Sequence, residues 1–149
     1  MAKGPPKTVA IDHDDYHAEY VGRTKDGLQF FLTTPFVPNL GGDPGREFIA
    51  LYLFDLAGQL HSATIDDLGL RETMDLEART ARRDELLASL GQVNYQRIKV
   101  APFQIERFGV EFGFIPQPPD EPGEEWCVIV MPGDVMCFWP PWNSGDYDT

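Results

Sequence analysis

The sequence predicts an α+β protein: a mainly antiparallel, twisted sheet of about six to eight strands with one main helix packed on a face. Three observations predict it. Short apolar runs with two-residue alternation recur along the chain, separated by turn residues. One stretch, Arg71–Leu90, has no Gly or Pro and is rich in Ala, Leu, Glu and Arg, all strong helix formers. The repeating strand–helix order of a parallel sheet is missing, which argues against a dinucleotide-binding layout. The 149 residues and the 42% hydrophobic share suit one globular domain over 1–149 with a sizeable core.

Residues 1–8 are rich in Pro, Gly and Lys and are expected to be disordered. Asp12-His13-Asp14-Asp15-Tyr16-His17 reads as an acidic loop. Ala18–Arg23 and Leu28–Thr34 read as two strands joined at Lys25-Asp26-Gly27, because Asp-Gly supplies the positive φ of a tight hairpin turn. Pro35–Arg46 holds three prolines and three glycines and reads as a long loop of the kind that often carries function. It lacks the Gly-Lys-Ser/Thr ending of a phosphate cradle.

Glu47–Asp55 is apolar at both alternate sets and should be a central strand. Leu60–Ile65 is more polar and fits an edge. Asp67 or Thr73 would cap the helix start and Gly91 its end, with Asp75 and Arg79 spaced for a surface pair. The helix stripe is thin: Leu76, Leu86, Leu87 and Leu90. Beyond it, Tyr95–Val100 reads as a strand, and the apolar phase shifts at Pro102 and again at Arg107. Each shift marks a bulge or turn, since an unbroken strand keeps its alternation. Gly109 and Gly113 lie between the apolar positions that follow, where another chain can approach closely. Pro116–Glu125, rich in Pro and acids, is an exposed loop.

Trp126–Trp142 contains all three tryptophans and both cysteines. It reads as a hairpin turning at Pro132-Gly133-Asp134 through a loop of about three to five residues. Its first arm is apolar on both faces, so the ribbon is expected to lie sandwiched at the centre, with the other strands built outward from it.

Acidic residues outnumber basic ones 24 to 12, for a net charge of −12. That opposes binding to a phosphate backbone, which calls for a cationic surface. It suits plain solubility or docking to a basic protein partner. No apolar run reaches the ~20 residues of a membrane span. The start carries positive charge with no apolar segment behind it, unlike a signal peptide. The expected location is cytoplasmic.

His13, His17 and Asp14, with Asp12 and Asp15, form the concentrated metal-ligand set, of a composition that suits zinc or another divalent ion. The competing reading is a solvated loop at the mouth of a strand. Cys127 and Cys137 fall on opposing arms of the hairpin; buried thiols, a cross-strand disulfide or a redox pair would each fit. Trp139, Trp142, Tyr147 and Asp146 have the aromatic and acidic make-up of a partner-binding surface. Alternatively, the tail folds back and its rings plug the core. No hydrolase or calcium-loop motif is present. The function expected is therefore a non-enzymatic protein-binding module, immunity- or adaptor-like. The alternatives are a hydrolase using the His13/His17 cluster and a homo-oligomer subunit whose apolar sheet face a second copy covers.

Overall fold

The computed structural model describes residues 4–149. Part of the N-terminal stretch expected to be disordered, 1–3, lies outside the described residues; the part within them, 4–8, forms no helix or strand. Twelve strands and one helix follow. They are β1 (Val9–Ile11), β2 (Tyr20–Thr24), β3 (Gln29–Thr33), β4 (Phe36–Val37), β5 (Arg46–Phe54), β6 (Leu60–Leu70), α1 (Leu76–Ser89), β7 (Val93–Tyr95), β8 (Ile98–Val100), β9 (Phe103–Arg107), β10 (Val110–Gln117), β11 (Cys127–Met131) and β12 (Cys137–Phe138). Every strand pair is antiparallel. The class is the expected one, α+β and dominated by sheet. The strands outnumber the expectation because several are only two or three residues long and belong to three sheets.

The larger sheet is built on β5. One edge of β5 pairs with β6; the other pairs first with β4 and then with β3, which lie end to end, and β2 and β7 continue beyond β3. A second sheet runs β12-β11-β10-β9, and β1 pairs with β8. The two-residue alternation of the central strands divides the core in two. Phe31, Tyr52 and Phe54 point toward Phe114, Val128 and Phe138 of the second sheet. Phe30, Leu32, Ile49 and Leu51 point the other way, onto Leu86 of α1. The layers are thus helix, sheet, sheet, and each large side chain buried between them contributes about 1.5–3 kcal/mol.

This arrangement corrects the expectation for Trp126–Trp142. The innermost strand is β5, whereas β11 is next to the edge of the smaller sheet and β12 is the edge. Val128, Val130 and Phe138 face the core. The opposite set, Cys127, Ile129, Met131 and Cys137, lies on the sheet's outer face. The arm is fully covered on its core side and only in part on the other, where Cys127 is buried and Ile129 and Met131 are half-buried. The hairpin loop has the expected length, with Pro132-Gly133-Asp134 in its turn and Val130 N–H donating to the Met136 carbonyl.

The helix starts later than expected. β6 runs on to Leu70, and Asp75 is the cap, accepting from the Glu77 and Ala78 N–H groups at 2.9 and 3.2 Å. Asp67 is held by Arg46 instead, at 2.9 Å. Arg79 turns from Asp75 toward Glu47 on β5, 3.6 Å away. Leu90 and Gly91 close the helix, Gly91 with a φ of 71°. Both apolar phase shifts fall between strands: β8 ends before Pro102, and β9 meets β10 through the two-residue turn Phe108-Gly109. Gly113 is obligatory, because a Cβ there would strike the Phe103 carbonyl. The loop expected over Pro35–Arg46 begins with the short strand β4, and that expected over Pro116–Glu125 yields Pro116 to β10.

Candidate functional site

Asp14 closes a knot between the N-terminal loop and the end of the chain. Its Oδ1 accepts from the N–H groups of Tyr16 and Ala18 at 2.9 and 3.0 Å, and its Oδ2 accepts from the Tyr147 hydroxyl at 2.6 Å. Burial pushes the Asp14 carboxyl up, but the Tyr147 hydroxyl and the two N–H groups more than offset this, so it ionises below the usual carboxylate range. Burial and the Asp14 bond together push the Tyr147 phenol up to about 12. Asp12 is bound by the Arg97 guanidinium, which also donates to the carbonyls of Asn143 and Ser144, both at 3.0 Å. His13 stacks on Tyr95 with ring centres 5.4 Å apart, while His17 lies against Tyr16 at 3.8 Å. The structure therefore gives His13 and His17 different neighbours and spends Asp12 and Asp14 on the chain terminus. Among the described residues no group of three or more His, Cys, Asp and Glu side chains is placed to hold a metal ion.

The tail residues separate into two kinds. Trp142 and Tyr147 pack against the core, and the backbone around them is stitched to the N-terminal strand: Ala10 N–H donates to the Trp142 carbonyl, and Asp12 N–H to that of Gly145. Trp139 and Asp146 remain at the surface, Trp139 being 44% exposed. The Cys137 and Asp148 backbones exchange two hydrogen bonds of 2.8 Å, which covers the free edge of β12. Cys127 and Cys137 are free thiols that act on one another; burial pushes Cys127 up and Cys137 up to about 12, which disfavours the reactive thiolate.

The outer face of the second sheet is apolar and half-buried. Register places Ile115, Ile129, Met131 and Cys137 on it, and Trp139 follows the end of β12. Carboxylates stand around it: Asp134 acts on both thiols, Asp120 on Cys127 and Asp148 on Cys137. Met131 and Glu111 also belong to an open cleft of about 860 Å³ at one end of the sandwich. Its other walls are the glycine-rich segment after β4, the β9–β10 turn and the hairpin loop. Leu40 and Phe108, 70% and 56% exposed, follow the chain next to its walls. A second, smaller cleft lies between α1, the N-terminal loop and the larger sheet.

No family model matches the chain, and no curated protein or solved structure matches it either. The residues that sequence reasoning missed are those of the outer face. Ile115, Ile129 and Met131 had a signal, the two-sided apolar character of their strands, but that signal reads equally as deep burial.

Proposed function

We propose that the chain is a non-enzymatic binding module that docks a basic protein partner on the outer face of its second sheet. The observation that carries this reading is Trp139, 44% exposed just beyond β12, next to a sheet face where Ile129, Met131 and Cys137 are half-buried and the carboxylates of Asp134, Asp120 and Asp148 act on the two thiols. Interfaces join an aromatic anchor to a polar rim, and an acidic rim selects and steers a cationic partner. The acids are free to do so. Ion pairs among the described residues engage six of the 24 acidic side chains, and none of those six lies on this face. The cleft reached through Met131 would receive whatever projects from the partner's edge.

A second copy of this chain is a poorer occupant, since both surfaces would bring a charge of −12. The test is a photo-crosslinking residue in place of Trp139, with one at Lys25 as control. Salt-sensitive capture of a cationic protein from position 139 alone is the expected result. Removing Asp134 and Asp146 together should weaken it. Equal capture from both positions, capture indifferent to salt, or none at all would overturn the reading. Light scattering that found a dimer at micromolar concentration would give the face to a second copy instead.

A further inference from the structure

The helix stripe that faces the sheet changes character along its length. Leu86, Leu87 and Leu90 pack on the sheet. One and two turns earlier on that stripe stand Arg83 and Arg79, where burial alone would call for more leucines. They do not fill the space. They wall a pocket of about 200 Å³ whose floor includes Leu32 and Ile49 and whose other walls carry Thr33, Thr34, Thr80, Tyr20 and His17.

Both guanidiniums keep donors for a ligand. Glu47 is held by Arg71 at 2.7 Å, and Arg79 stands 3.6 Å from its other oxygen, beyond a good hydrogen bond. Arg83 contacts Asp84 at 3.2 Å, an exposed neighbour of the kind that water exchanges easily, and lies over the Tyr20 ring at 5.6 Å. The Tyr20 hydroxyl is a further donor, and burial pushes its ionisation above the ordinary 10.0. The single carboxylate in the lining is Glu19. In a chain whose acids outnumber its bases 24 to 12, two arginines and one glutamate line this pocket, with Glu47 and Asp84 on the guanidiniums' far sides.

We infer that this pocket binds a small molecule bearing one oxyanion group, a phosphate or a carboxylate, held by Arg79 and Arg83 with the threonine hydroxyls. The planar fork of a guanidinium matches two oxygens of such a group, and the floor of Leu32 and Ile49 accepts a short apolar body. This is independent of the partner-binding face, which lies on the other sheet.

Titration of the labelled protein with inorganic phosphate and, separately, with propionate, at ionic strength held constant with NaCl, tests it by amide NMR. Saturable shifts at Thr33, Thr34 and Thr80 are expected with at least one probe, and the responding probe distinguishes phosphoryl from carboxylate ligands. Arg83→Gln should weaken that binding about tenfold while its spectrum stays folded, and Arg107→Gln, far from the pocket, should leave it unchanged. Shifts that stay linear for both probes, or that are equal in wild type and Arg83→Gln, overturn the assignment.

Discussion

Tyr147 and Asp14 show what single residues do here. One hydroxyl joins positions 133 apart in sequence, donating to Asp14 and accepting from the His17 N–H. The two groups set opposite pH limits. The folded phenol ionises above its ordinary 10.0, at about 12, so its contribution is whole below pH 10 and is lost as pH rises toward 12. The Asp14 carboxyl ionises below its ordinary 3.8, so its contribution is present above that value and disappears as pH falls further. Tyr147→Phe should therefore cost about 1–2 kcal/mol at neutral pH and flatten the stability profile at both ends, as urea melts across pH would measure. Some alkaline slope should persist through Tyr52, whose buried hydroxyl has no partner among the described residues and whose ionisation burial also opposes. None of this was legible in sequence. Asp14 and His17 stood out as ligand types, but the partner that claims Asp14 comes from the far end of the chain.

Among the elements, the β9–β10 hairpin turns through Phe108 and Gly109, both at positive φ, 58° and 72°. A turn of that hand favours Asn or Asp before Gly, since a bulky side chain strains there. Phe108 is partly compensated by its ring, stacked 6.0 Å from Phe48. Phe108→Asn should raise stability by about 0.5–1 kcal/mol in urea unfolding, the strain outweighing the exposed stack; a loss would reverse that order. The turn itself was announced by the apolar phase shift at Arg107, and the β2–β3 hairpin by Asp-Gly, because local chemistry decides such features. The helix start was displaced because capping residues abound: Asp67, Thr73 and Asp75 all qualify, but β6 runs past Asp67 to Leu70 and Thr73 belongs to the turn that closes on the Leu70 carbonyl. Val9–Ile11 is fully buried yet too short to announce itself as a strand.

Across the whole molecule the excess of carboxylate dominates. The ion pairs remove equal numbers of each sign, so the net −12 stays on the surface. Self-repulsion of that size opposes the compact state. Raising NaCl from about 0.1 to 1 M shortens the screening length from about 10 to about 3 Å. The melting temperature should then rise by about 2–4 °C, as scanning calorimetry would record; a fall would mean that the arginine pairs outweigh the repulsion. The charge, the class and the identity of β5 as a central strand were readable from sequence. The order of layers was not, because an apolar strand of the second sheet and one of the first look alike until the register assigns their faces.

The stitching of Trp142–Asp148 to β1 and β12 also bears on biosynthesis. Those last residues leave the ribosome after every segment they bind. Until they emerge, the amides of Ala10 and Asp12 and the rim of the smaller sheet have only water to bond. A nascent chain can therefore complete the bonds of β1 only once Trp142–Asp148 has emerged, and one stalled before that would expose an open strand edge to its neighbours on the polysome.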